Sequence, residues 1–201
     1  VRNTDPEQAL TLYQESLTIL RDLAETQPND LRTRRDLTVS LDNMANMLSN
    51  INPEQALGLY RESLAIRRGL TKTQPGDFLT LRDLTISLNN VADTLEHSDP
   101  EQALELYRES LAITRTIAEA RPNDLEILRD LGLSLNNVSS MLCSGDHEQS
   151  LELYQKSLNI AHSLLEARSG DPHSRRDRTV SLENFAYMLK NTDPEQALSF
   201  Y

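Results

Sequence analysis

The chain has no tryptophan, few aromatic residues of any kind (4%) and one cysteine, Cys143, in 201 residues. A lone thiol builds no disulfide framework and suits a reducing compartment. Six glycines leave no glycine-rich loop to cradle a phosphate. No run of Lys or Arg occurs, the net charge is −11 and the sequence pI is about 4.8. The basic footprint that displaces counterions is missing, which argues against a nucleic-acid partner. No apolar run approaches the roughly 20 residues of a membrane-spanning helix, and the residues from Val1 do not read as a signal peptide. These absences lead to the expectation of a cytoplasmic protein. His97, His147, His162 and His173 share no phase, and neither an HExxH pair nor a Cys–His pair is present. No cofactor, metal or enzymatic activity is therefore expected. Cys143, near the end of its segment, reads as incidental rather than nucleophilic.

What the chain does have is a repeat. DPEQAL stands at 5–10, NPEQAL at 52–57, DPEQAL at 99–104, DHEQSL at 146–151 and DPEQAL at 193–198, each copy 47 residues after the last. Residues 52–98 and 99–145 match at 26 of 47 positions. Self-similarity at a fixed period of this size marks a solenoid, in which each unit contacts only its neighbours.

Each PEQAL is a helix start. Asp5, Asn52, Asp99, Asp146 or Asp193 stands at the N-cap, Pro or His147 opens the first turn, and a Gln three residues after the cap can close a capping box. Ala9, Leu10, Leu12, Tyr13, Ser16, Leu17, Leu20 and Leu23 then recur at helical spacing, so the segment is amphipathic. Gln27-Pro28, Gln74-Pro75 and Arg121-Pro122 stop it. Asp30, Asp77 and Asp124 cap a second helix, which carries RDLTVSLDNMANML at 35–48, RDLTISLNNVADTL at 82–95, RDLGLSLNNVSSML at 129–142 and RDRTVSLENFAYML at 176–189. Short turns make the two helices of a unit antiparallel.

Leu41, Met44, Ala45 and Leu48, followed by Ala56, Tyr60 and Ser63, resemble the tetratricopeptide repeat. Leu88, Val91, Ala92, Leu95, Ala103, Tyr107 and Ser110 repeat the pattern. Ala45, Ala56 and Ser63 are small where two helices approach closely, and Tyr60 fills a larger gap. The unit of 47 residues departs from the family's usual 34: both helices are longer, the intervening turn is shorter and the closing Pro is displaced. It looks most like long-helix variants in large multidomain bacterial proteins. The resemblance implies an all-α, αα-hairpin solenoid with a right-handed superhelix. A leading helix at 5–27 would precede hairpins at 30–74, 77–120, 124–168 and 172–201, the last truncated. NTDPEQAL occurs at 3–10 and again at 191–198 and no capping unit is visible, so the stretch is expected to belong to a longer array.

The resemblance also implies a concave groove lined by the RDL helices. Asn43, Asn90, Asn137 and Asn184 match the family's groove-facing Asn, whose amide can pair with a peptide N–H and C=O together. The alternative is that they bond to an adjacent helix. Selectivity would then come from Asn46, Asp93, Ser140 and Tyr187, with Asp42, Asn89, Asn136 and Glu183 beside them. Arg35, Arg82, Arg129 and Arg176 form a second row on that side. Each is followed by an Asp, so ion pairing between units is favoured over capture of a partner carboxylate. The expected partner is a neutral or basic protein segment or extended peptide. Rival uses are head-to-tail self-association through the open ends, or a spacer or autoinhibitory arm for an enzyme elsewhere in the parent chain.

Overall fold

The computed structural model describes residues 6–143, 145–168 and 170–192. All regular structure there is helical: α1 (Pro6–Thr26), α2 (Leu31–Leu48), α3 (Pro53–Thr73), α4 (Phe78–Leu95), α5 (Pro100–Ala120), α6 (Leu125–Leu142), α7 (His147–Ala167) and α8 (Pro172–Thr192). This is an α-solenoid arrangement of alternating PEQAL helices of 21 residues and RDL helices, of which α2, α4 and α6 have 18 residues. The N-cap expected at Asp5 and the final PEQAL copy at 193–198 lie outside the described residues. The helices form two compact units, α1–α4 ending at Asp99 and α5–α8 beginning at Pro100. Within each unit, every helix packs against the next in sequence.

Local chemistry sets the helix ends. At α3 the Asn52 side chain accepts from the Gln55 N–H, and at α7 Asp146 accepts from the Gln149 N–H. The capping box expected of Gln55 takes another form: its side-chain oxygen accepts from Asn52 Nδ2 at 3.3 Å rather than reaching back to the main chain. The RDL helices are capped by Asp30, Asp77 and Asp124, and also by Asp171, which accepts from the Ser174 N–H and hydroxyl. The Thr33, Thr80 and Ser174 hydroxyls hold the Asp30, Asp77 and Asp171 carboxyls below their ordinary value of 3.8. The turn entering each RDL helix is the same four times: the N–H of Asp30, Asp77, Asp124 or Asp171 donates to the carbonyl three residues earlier.

The small residues sit where the helices meet. Ala45, Ala56, Ala92 and Ala103 are fully buried, as are Ser63 and Ser110. In the second unit, the positions of Ala45 and Ala56 become Ser139 and Ser150. Both hydroxyls are buried, and each donates to the other residue's carbonyl, so the added polar atoms are satisfied by one another. Leu41 and Leu88 are completely enclosed, and burying one such side chain contributes about 1.5–3 kcal/mol. Tyr60, Tyr107 and Tyr154 are core residues, whereas on α1 Tyr13 is half-buried and Leu12 and Ser16 of the expected stripe are exposed. Among the described helices α1 has one neighbour in sequence, α2, to pack against.

Candidate functional site

Packing leaves one face of every RDL helix open. On α2, α4, α6 and α8 its centre is an exposed aliphatic residue: Val39, Ile86, Leu133 or Val180. Their 47-residue spacing could have been read directly from the repeat, but an aliphatic residue at helical phase reads first as core. An apolar side chain kept in water at one phase of every unit is the unusual feature, because single exposed hydrophobics need no explanation while a repeated one does.

Asn43, Asn90, Asn137 and Asn184 lie four residues beyond this row, on α2, α4, α6 and α8, and all four are half-buried. None of the four amides has a hydrogen-bond partner among the described residues. Bonds from these amides to an adjacent helix, the alternative, are not found among the described residues. Their donors and acceptors remain available beside an apolar strip.

The Arg row behaves differently. Arg35 Nε lies 3.2 Å from an Asp83 carboxylate oxygen, and its Nη2 donates to Thr80 Oγ1 at 3.1 Å. Arg129 donates twice to Asp177, at 2.6 and 3.2 Å. Each pair joins two RDL helices of one unit, so Arg35 and Arg129 are ties rather than free donors for a ligand. Hydrogen bonding to Asp177 also holds the Arg129 guanidinium above its ordinary range. Arg82 is half-buried on α4. Arg176 is exposed on α8 with no ion pair among the described residues.

The flanking candidates divide as well. Asn46 is exposed, but its Oδ1 accepts a 2.6 Å hydrogen bond from the Tyr60 hydroxyl, so this amide is partly committed to the hairpin. Sequence gives no sign of this, because it depends on how far a core Tyr reaches. Asp93 and Ser140 are exposed on α4 and α6, and Tyr187 is 59% exposed on α8. Cys143 packs at the end of α6 with its sulfur 3.6 Å from the Tyr154 hydroxyl, and burial raises that phenol's pKa.

Two further features escaped sequence reasoning. In the first unit Arg67, on α3, is buried among α2, α3 and α4. Its Nη2 lies 2.7 Å from Asp42, its Nε donates to Thr38 Oγ1, and its Nη1 donates to the Asp83 carbonyl and Ser87 Oγ. Burial raises the Asp42 pKa, against the opposing pull of Arg67. In the second unit a cleft of about 270 Å³ opens between α6, α7 and α8. Among the described residues, no group of three or more His, Cys, Asp or Glu is placed to hold a metal ion, and no helix is long and apolar enough to cross a membrane.

No protein-family profile matches the chain, and no curated protein matches it. Solved structures do. The MamA RS-1 ArsTM double mutant aligns with a TM-score of 0.50 at 17% identity, over 97% of this chain and 85% of that one. MamA 41-end from Desulfovibrio magneticus RS-1 aligns with a TM-score of 0.35 at 18% identity, over 90% and 93% of the two chains. A de novo designed helical repeat protein aligns with a TM-score of 0.34 at 16% identity, over 98% and 99%. The first of these likenesses shows a shared helical-repeat fold and bears on nothing else.

Proposed function

We propose that this chain is a tetratricopeptide-like scaffold that binds an extended protein segment along the open faces of its RDL helices. The observation that carries the reading is the pairing, in every RDL helix, of an exposed aliphatic residue with an Asn whose amide has no hydrogen-bond partner among the described residues. Val39 with Asn43 and Ile86 with Asn90 supply two such pairs in the first unit. Leu133 with Asn137 and Val180 with Asn184 supply two in the second. An amide can meet a peptide N–H and C=O without reading the side chain, and each rung adds about 1 kcal/mol net. Alone, such rungs barely offset the costs of association and ordering. Covering the aliphatic row adds apolar burial at about 25 cal/mol per Å². The net charge of −11 favours a neutral or basic segment over an acidic one. Arg35 and Arg129 serve as ties between RDL helices, and selectivity falls to exposed neighbours such as Asp93, Ser140 and Tyr187. A bacterial, cytoplasmic setting belongs to the same proposal through the long-helix resemblance.

Selection of random displayed peptides on the immobilised protein tests the reading. Peptides that bind should be basic or neutral, and should be lost on a folded variant carrying Val39→Ser, Ile86→Ser, Leu133→Ser and Val180→Ser. Peptides that bind both proteins equally would move recognition to the PEQAL helices, and a protein that selects nothing but pairs with itself in light scattering would favour self-association.

A further inference from the structure

The cleft of the second unit is the counterpart of the place that Arg67 fills in the first. A shift of 94 residues, two repeats, maps Thr38 onto Gly132, Asp42 onto Asn136, Arg67 onto Ala161, Asp83 onto Asp177 and Ser87 onto Ser181. In the first unit these positions surround the Arg67 guanidinium. In the second, all five line the cleft. Replacing the Arg side chain by the methyl of Ala161 and Thr38 by Gly132 leaves the space open. A Cβ added at Gly132 would meet Ile160 and Ser157 only at ordinary contact distances, 3.6 and 3.7 Å, so close packing does not require the glycine.

The exchange also changes the charge. Asp42 and Arg67 are replaced together, by Asn136 and Ala161, so the cleft has lost a matched pair of charges, while Arg129, tied to Asp177, and Arg176 and His173 also line it. Asn136 Oδ1 is buried there without a hydrogen-bond partner. An unpaired buried acceptor is destabilising, and a donor that reaches it removes that cost. The Asp177 carbonyl and Ser181 hydroxyl stand where their counterparts accept from Arg67. The mouth is flanked by Leu133 and Val180, members of the exposed aliphatic row. The ligand that fits has an aliphatic stem, at least two N–H donors and no net charge. A guanidinium or ammonium would be buried without the carboxylate that Asp42 supplies in the first unit, and with Arg129 at the rim.

We infer that the cleft is a side-chain socket for the carboxamide of a Gln or Asn residue in a bound segment. Its NH₂ donates to Asn136 Oδ1 and to the Asp177 carbonyl or Ser181 hydroxyl, and the Asn136 NH₂ turns to its oxygen. The inference rests on the peptide-binding reading of the RDL faces, which it sharpens by naming a residue type.

The test titrates the ¹⁵N-labelled full chain with the methylamides of acetyl-glutamine, acetyl-arginine, acetyl-glutamate and acetyl-norleucine, following the Asn136 side-chain signals. The glutamine probe should give saturable shifts and bind about fivefold or more tightly than norleucine, the worth of one neutral hydrogen bond. The charged probes should be weaker still. The double variant Asn136→Asp, Ala161→Arg, which restores the first unit's charge pair, should lose the response that the backbone amides of Gly132 and Ser181 report in both proteins. No saturable shift at Asn136, equal responses to all four probes, or a response retained in the filled and folded variant would overturn the inference. The comparison of probes on the unmodified protein decides the matter even if the variant fails to fold. Binding of the glutamine probe without any selected peptide would uphold the socket and remove the broader reading. Selected peptides without any probe response would do the reverse.

Discussion

Replacing Arg67 by Ala exposes how the first unit is held. The Asp42 and Arg67 side chains are 12% and 5% exposed, so solvent screens their 2.7 Å contact little. Removing one partner of such a pair leaves a buried charge uncompensated, at a cost of about 3–5 kcal/mol. Arg67→Ala also frees Thr38 Oγ1, the Asp83 carbonyl and Ser87 Oγ, all of which accept from it. Adding Asp42→Asn to Arg67→Ala copies the residues that the second unit carries at 136 and 161. The stranded charge disappears, and at least about 2 kcal/mol of the loss should return. Urea unfolding followed by circular dichroism at pH 7 reads both values, with an unchanged slope confirming that stability alone has moved. The pH dependence gives a second reading. A carboxyl whose folded pKa is raised stabilises fully below its unfolded value of 3.8 and loses that contribution as pH rises through the folded value. Burial already raises Asp42, and removing Arg67 removes the opposing pull, so the single variant should recover part of its deficit on moving from pH 7 toward pH 4. A loss below about 1 kcal/mol for Arg67→Ala, or a double variant no more stable than the single, would refute the reasoning.

Two other outcomes follow from the packing and the caps. Leu41→Ala, at a fully enclosed site, should cost about 2–5 kcal/mol in thermal or urea unfolding, whereas Val39→Ser, two positions away on the open face, should change stability by no more than about 0.5 kcal/mol. The folded pKa values of Asp30, Asp77 and Asp171 are depressed, so their caps contribute stability above 3.8 that is lost as pH falls through the folded values. Asn also caps a helix but does not titrate there. Converting all three Asp residues to Asn should therefore leave the melting temperature at pH 7 nearly unchanged and flatten its fall between about pH 4 and pH 2.

Much of the fold is legible because each boundary is marked by a residue with a single purpose. Pro53 and Pro100 open two PEQAL helices, Asn52 caps the first of these and Asp146 the PEQAL helix that opens with His147, and Asp30, Asp77 and Asp124 cap RDL helices. The Arg–Asp ties could be expected because every Arg of that row is followed by an Asp. Asp171, in an otherwise diverged repeat, keeps the same capping role, which a closer reading of Asp171-Pro172 would have found. What escaped notice depends on single departures from the repeat rather than on the repeat itself. Arg67 stands where the other copies have Leu20, Thr114 and Ala161, and its meaning appears only beside Asp42, where the others have Asn89, Asn136 and Glu183. A charge at both positions or at neither is a sequence signal, but it is visible only when the copies are compared column by column. The cleft has no residue of its own to announce it, because it is the volume that Arg67 leaves when it becomes Ala161.

The open face gains its chemical character from this division of labour. Arg35 and Arg129 each tie two RDL helices of one unit, and small residues bring RDL and PEQAL helices close. Among the described residues the Asn amides have no hydrogen-bond partner and the aliphatic row stays exposed. Titration calorimetry with a selected peptide tests that claim most directly, against the unmodified protein and two folded variants, Asn43→Ala with Asn90→Ala and Asn137→Ala with Asn184→Ala. Loss of two rungs at about 1 kcal/mol each predicts roughly thirtyfold weaker binding for the pair that the peptide covers. Unchanged affinity in both folded variants would contradict the account.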